Sequence, residues 1–383
     1  MPVASLTPLQ EKFKDVHYLV LDEKSMIGCA HLYWIDQRLR QIYPSRADEP
    51  FGGLNILLVG DFYQLPPVRQ VSLYQHLKAS SVYEIHMGRK AYLVIDQTAV
   101  LNQVMRQDGD DPESCAFWLA LTELRDQAVS EASWRLLLGR CKQNLSADEI
   151  REFDDTIHLY GRRADVDEHN HHKICDLERP ILTIHAVHSG TDASKASSEQ
   201  CDLLTKLNVC IGAKVMLTQN LWVEKGLVNG STGSIENVVW STGADVKRVL
   251  PLALLVAVDQ YSGPGLFTRA DGKVVIPIFP ATREWEGKKG GCSRRQFPVV
   301  LAFAITIHKC QGLTLDRVVL DISSKDHTPG LAYVAISRVK KLSGLLFKKG
   351  FDKERFKPSA AANNQALARR LDSERRQAQL LGN

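Results

Sequence analysis

The sequence lacks the features that would place it in a membrane or outside a cell. Its longest apolar stretches, around 250–258 and 298–307, are too short to span a bilayer. The opening MPVASLTPLQEKFKD has no basic-then-apolar pattern, so export is not expected and a reducing compartment is the default. None of the eight cysteines forms a C-x-x-C pair, which argues for buried free thiols over disulfides. No internal repeat is visible. No Gly-Lys step is followed by Ser or Thr, so the phosphate-cradling form G-x-x-x-x-G-K-[ST] is absent. What remains is a chain of 383 residues, 44% hydrophobic and 24% charged, the composition of an ordinary soluble protein. That length exceeds what one core usually holds, so two or three domains are expected.

The net charge of +4 is unevenly spread. Residues 266–296 carry seven basic side chains against three acidic, and residues 338–376 carry twelve against four. These blocks together hold +12, which leaves −8 on the rest. Such blocks suit a track for a phosphate backbone, or else a solvated face. The stretch DEHNHHKIC (167–175) is rich in possible metal ligands but lacks paired ligand spacing and reads as a polar helix face.

Two segments share one shape. YLVL (18–21) ends at Asp22 and NILLVG (55–60) ends at Asp61. Each short apolar run is expected to be a parallel strand buried on both faces, with its acid at the carboxyl end, where open α/β sheets bind ligands. Residues 30–43 between them read as a helix. Helices are expected across 112–150, with Ser146 as a cap, and strands at 157–160, 181–187, 214–220 and 233–240. Residues 241–297 are β-rich and broken by Gly and Pro, as in a small β-barrel. Strands return at 298–305 and 317–322, and a polar tail comes after residue 352 with a possible helix at 363–381.

A strand-end Asp22 can hold Mg²⁺ through its water shell, and Glu23 beside it can orient an attacking water. In GDFYQLPPV (60–68), Gly60 lets the backbone turn and Asp61 sits at the strand tip. Gln64 can reach a γ-phosphate, and the double proline stiffens the loop after it. The alternative is Asp61 as a helix cap with Gln64 exposed. Arg106 in NQVMRQ and Arg338 in AISRVKKL each follow an apolar stretch; a guanidinium there can stabilise phosphoryl oxygens or serve a surface ion pair. ITIHKCQGLTLD (305–316) sets Thr306, His308, Lys309 and Gln311 before a glycine turn, suited to a nucleic-acid backbone or to a plain capped helix with a polar face.

Taken in order, these segments resemble the helicase motifs of superfamily one, and within it the Pif-type 5′-to-3′ DNA helicases. LVLDEKSM resembles motif II, VGDFYQLPPV motif III, LNQVMRQ motif IV, LAFAITIHKCQGLTLD motif V and YVAISRV motif VI. Residues 159–170 and 212–235 also resemble the family's second RecA-like domain. The resemblance covers roughly 15–350. It implies an α/β fold of two RecA-like P-loop NTPase domains with a small SH3-like β-barrel inserted in the second. Residues 1–130 would be an incomplete first domain, 131–240 with 298–352 the second, 241–297 the insert and 353–383 a polar tail.

The resemblance further implies an ATP-dependent 5′-to-3′ helicase that uses ATP and Mg²⁺ on single-stranded DNA and DNA forks. The intact enzyme would be a monomer of nucleus or mitochondrion in a eukaryote, working in repair, recombination or telomere maintenance. Asp22 would hold Mg²⁺, Glu23 would be the base, and Gln64 would sense the γ-phosphate. Arg106 and Arg338 would be arginine fingers from the second domain, with Asp61 also at the nucleotide. Thr306, His308, Lys309 and Gln311 would couple DNA to ATP. Two residues depart from the pattern: Lys24 stands where an apolar residue is usual and Cys310 where Ser is usual. Without the phosphate loop, little ATP hydrolysis is expected of this chain alone. It then reads as the C-terminal portion of a helicase, as an inactive single-strand-binding relative, or as a fragment of a transposon-encoded helicase. A truncated sheet would also leave an uncovered edge and poor solubility.

Overall fold

Both apolar runs before the acids form strands. In the computed structural model, β1 (Tyr18–Leu21) pairs in parallel with β2 (Asn55–Leu58), Tyr18 opposite Asn55 and Leu21 opposite Leu58. The structure describes all residues except 1–2, 102, 108, 247–248, 288–289, 324–327, 329, 358–359 and 382–383. A period of two sends Leu19, Leu21, Ile56 and Leu58 into the core. It turns Tyr18 and Val20 outward, 64% and 59% exposed, beside exposed Leu57 and Val59. The expectation of strands buried on both faces is therefore corrected: helices cover one face only.

α1 (Val3–Phe13) precedes β1, and α2 (Cys29–Ile42) comes after it. Cys29, Leu32, Leu39 and Ile42 form the buried stripe of α2, at the helical repeat. Asp36 shares that stripe because its carboxylate accepts from Phe51 N at 2.6 Å and Arg40 Nε at 2.8 Å. α3 (Tyr83–Val94) crosses α2 at Gly88, where a Cβ would overlap the carbonyl oxygen of Cys29. Then come α4 (Pro112–Asp126), α5 (Glu131–Leu138) and α6 (Ala147–Arg151). Asp111 caps α4 by accepting from Glu113 N and Ser114 N. Ser146 caps α6 as expected: Glu149 N donates to its Oγ at 3.3 Å, and Glu149 Oε2 accepts from Ser146 N at 3.0 Å.

The chain next builds β3 (His158–Tyr160), α7 (Arg163–Cys175), β4 (Leu182–His185), β5 (Val187–Ser189), α8 (Ser198–Cys201) and β6 (Lys206–Val209). Eight more strands come in succession: β7 (Lys214–Leu217), β8 (Thr232–Val239), β9 (Ala253–Val258), β10 (Phe267–Thr268), β11 (Val274–Ile278), β12 (Ala281–Gly287), β13 (Gly290–Gln296) and β14 (Val299–Leu301). An antiparallel sheet runs β10-β11-β9-β8-β7-β14, so β9 to β11 of the β-rich segment at 241–297 join strands on either side of it, while β12 and β13 pair antiparallel in a separate sheet with β5. Its core includes Val215, Ile235, Leu254, Val256, Ile276 and Phe297. β15 (Ala304–Thr306) and β16 (Val318–Leu320) flank β3, both parallel to it. α7 docks there through Asn170, which accepts from Ala304 N at 2.8 Å and donates back to Ala304 O at 3.0 Å. That pairing explains how a polar helix, with Val166, Asn170 and Ile174 buried, holds its place.

The last elements are α9 (Leu331–Ile336), β17 (Leu345–Phe347) and α10 (Ala360–Leu381). Contacts divide the chain into two compact units: Met1–Ile150 with Thr314–Asp316 and Asp321–Asn383, and Arg151–Leu313 with Arg317–Leu320. Residues 131–150 and 321–352 thus lie in the first unit, where Cys141 bridges Phe347 and Trp134 Nε1 donates to Phe351 O at 3.0 Å. Among the described residues, no helix is long and apolar enough to cross a membrane.

Candidate active site

At the end of β1 the chain turns sharply. Glu23 takes left-handed angles, φ 53° and ψ 46°, and its N–H donates to Asp22 Oδ1 at 2.7 Å. Such a conformation costs a non-glycine residue roughly 1 kcal/mol or more, so the surroundings must hold it. They do: Lys24 N donates to Val59 O at 2.9 Å, and Val59 N to Leu21 O at 2.9 Å. Gly60 then passes the acid pair at φ +127°, where a Cβ would lie 2.9 Å from Lys24 N and 3.3 Å from Glu23 Cα. Only glycine fits both the angle and the space. The acid pair and the turn after β2 are therefore locked together by backbone alone.

Asp61 caps a turn rather than a helix: its Oδ1 accepts from Tyr63 N at 2.9 Å, and Gln64 N donates to Asp61 O at 3.1 Å. Its Oδ2 accepts from Tyr333 Oη, on α9, at 3.4 Å. Burial, and then Asp61, push the Tyr333 phenol up to about 12, so it stays a donor. Gln64 is half-buried, and its Oε1 is buried with no donor among the described residues. Leu65 and Pro67, buried behind it, fix the loop. Asp22 is exposed, and with Asp61 it offers two carboxylates at adjacent strand ends, the hard oxygen donors that Mg²⁺ takes. The orphaned Gln64 oxygen beside them suits a water or hydroxyl donor, so these residues fit a magnesium-bound nucleotide.

The two expected arginines lie in the first unit and converge on Ser337. Arg106 donates from Nε to Thr314 Oγ1 at 3.1 Å and from Nη1 to Ser337 O at 3.2 Å. Gln107 adds bonds to Ser337 O and Val339 O. Arg338 is only 2% exposed; its Nε donates to Val334 O and its Nη2 to Ser337 Oγ, both at 2.9 Å. Its guanidinium therefore turns back along α9.

In the second unit, Thr306 ends β15 and caps a short 3-10 turn, Ile307–Cys310, by accepting from Lys309 N at 3.4 Å. Cys310 is fully buried with its Sγ 3.0 Å from Ile307 O, a place a small polar atom fills equally well. Lys309 is exposed, and its pKa is lowered, first by desolvation and then by Arg163. His308 and Gln311 are half-buried on either side.

Sequence reasoning missed the groups around the first site. Tyr63 has the guanidiniums of Arg125 and Arg369 5.1 and 4.9 Å from its ring centroid. Lys24 Nζ lies 4.9 Å from the Phe62 ring centroid, with a pKa lowered by burial and then by Arg376. The lysine directly after the acid pair was the one visible signal, since a charge there needs partners that an apolar residue would not.

This arrangement, acids at parallel strand ends beside a glycine-proline turn and a capped basic turn on a second parallel set, defines the RecA-like fold of superfamily one helicases. A Pif1 helicase from Candida albicans matches 97% of this chain and 80% of its own, at 26% identity and a TM-score of 0.72. A Bacteroides Pif1 helicase solved with ADP-AlF3 and single-stranded DNA matches 95% and 77%, at 27% identity and a TM-score of 0.66. The profile of PIF1-like helicases matches residues 2–135. The ATP-dependent DNA helicase PIF1 of Danio rerio is 31% identical over 330 residues, 86% of this chain and 45% of its own. The chain is similar to PIF1-like helicases along most of its length. It spans about half the length of the curated relatives it matches.

Proposed function

We propose that this chain works in ATP-dependent 5′-to-3′ unwinding of DNA, acting as a monomer on single strands and forks. The observation that carries this reading is the backbone lock between the acid pair and the Asp61–Gln64 turn, with an orphaned acceptor on Gln64. Asp22 and Asp61 would hold Mg²⁺, which would supply neutralisation of the phosphate charge. Glu23 orients the attacking water, and its left-handed backbone fixes where the carboxylate emerges. Gln64 accepts from that water. Arg106 and Arg338 stabilise the phosphoryl oxygens once their bonds at Ser337 open. Thr306, His308, Lys309 and Gln311 hold the DNA backbone.

A second reading, single-strand binding without turnover, is favoured by the inward, bonded Arg338. ATP hydrolysis by the purified chain, with and without single-stranded DNA, separates the two. Under the first reading, DNA stimulates turnover and Glu23→Gln lowers it by ~10²-fold or more, the scale of general base catalysis. Turnover unchanged in Glu23→Gln would remove Glu23 from the mechanism. No turnover with DNA binding intact would leave the second reading. Under either, DNA affinity should fall with salt, and Lys309→Ala should shallow the log–log slope by about 0.7 if that ammonium meets a phosphate.

A further inference from the structure

Helix α10 lies against the turn that carries Asp61 and Gln64. Arg369, 6% exposed, donates from Nη1 to Phe62 O at 3.2 Å. One turn on, Asp372 is 5% exposed and is shared by Arg375, Arg376 and, at 3.8 Å, Arg89 of α3. Arg376 also bonds Tyr92 Oη at 2.8 Å and Ile95 O at 3.1 Å. Lys24 belongs to the same group: its electrostatic neighbours are Arg376, Asp61 and Asp372. Five cations thus crowd around two carboxylates, Asp61 and Asp372, while Arg125 is matched by its own partner, Asp126.

Their donors are not all used. Arg369 Nε, Arg375 Nε and Arg376 Nη2 are buried and make no hydrogen bond among the described residues. Leaving buried cations in excess is costly, by several kcal/mol per ion in general. The remedy is an anion with several oxygens, which guanidinium forks match two at a time. Lys24, Asp61 and Arg375 are half-buried, so the cluster opens to solvent on that side.

We propose that Arg369 and Arg376 of α10, with Lys24, form an oxyanion site for the phosphate chain of a nucleoside triphosphate. This rests on the reading of the Asp61–Gln64 turn as the nucleotide site and adds what holds the phosphates there. The C-terminal helix becomes a binding element, and the basic block at 338–376 serves a nucleotide as well as DNA.

The test is calorimetric titration of the full chain with tripolyphosphate and, separately, with ATP, both in EDTA. Arg369→Gln and Arg376→Gln should each weaken both ligands about tenfold, the loss of one charge-assisted pair. Arg369→Lys should restore part of the loss. Arg370→Gln, on an exposed arginine paired with Glu374, should bind as the unaltered chain does. Binding of tripolyphosphate but not ATP would identify a free polyphosphate site and overturn the nucleotide assignment. Binding unaffected by both glutamines, or no binding at all, overturns the proposal. Should a variant unfold, amide exchange of residues 363–376 in the unaltered chain decides: tripolyphosphate should slow it, and unchanged exchange counts against the site. DNA-stimulated turnover that needs Glu23 but ignores Arg369 would sink this site alone. Arg369-dependent binding without Glu23-dependent turnover would sink the catalytic reading alone.

Discussion

An alanine at position 88 is expected to destabilise the first unit by about 3 kcal/mol or more, beyond the usual range for one added methyl. The added carbon would overlap the carbonyl oxygen of Cys29, a backbone atom inside α2 that cannot rotate away. Relief requires α2 and α3 to separate, and that opens the core holding Leu32, Ala91 and Tyr92. The urea midpoint of the first unit reads the effect. Gly350→Ala, in the same unit, is the comparison, because its Cβ position meets only the end of the Gln143 side chain, at an ordinary 3.7 Å. It should change stability by less than ~0.5 kcal/mol. Equal midpoints for Gly88→Ala and the unaltered chain would mean that α2 and α3 do not cross this closely.

Asp372→Ala should be comparably damaging. Its carboxylate accepts from Tyr92 Oη at 2.6 Å and Arg375 Nη2 at 2.9 Å, with Arg376 Nε at 3.4 Å. Removing one member of a buried ionic network typically costs about 3–5 kcal/mol, because the opposite charges stay behind. Tyr92→Phe removes one hydroxyl and should cost nearer to 1 kcal/mol. The pair also makes a pH signature. Burial, and then Asp372, push the Tyr92 phenol above its ordinary range. An unfolded tyrosine ionises near pH 10, so stability is full below roughly that pH and falls above it. Tyr92→Phe should flatten that alkaline fall. A fall of the same steepness in the variant would assign it to another group.

Much of this architecture was legible in the sequence. YLVL and NILL announced β1 and β2, because an apolar run of four bounded by polar residues has few other uses. The Ser146 cap was legible because a capping box is a local contract between residues three apart. The open outer face of β1 and β2 was not: Tyr18 and Val20 are as apolar as Leu19 and Leu21, and only the packing decides which pair is covered. Arg338 shows a different limit. The motif supplies a guanidinium, but whether it points outward depends on Val334 O and Ser337 Oγ competing for the same donors. The α10 cluster was beyond reach because Asp372 and Tyr92 are 280 residues apart, and nothing local marks one as the other's partner.

That separation bears on how the protein is made. The first unit begins on the ribosome, is interrupted by residues 151–313, and resumes only at the far side. At about 5–20 residues per second, Asp372 is synthesised tens of seconds after Tyr92. Through that interval Arg89 and Tyr92 lack the Asp372 carboxylate. The second unit, nearly continuous in sequence, can finish first. Translation speed across residues 151–313 therefore sets how long the half-built first unit must survive.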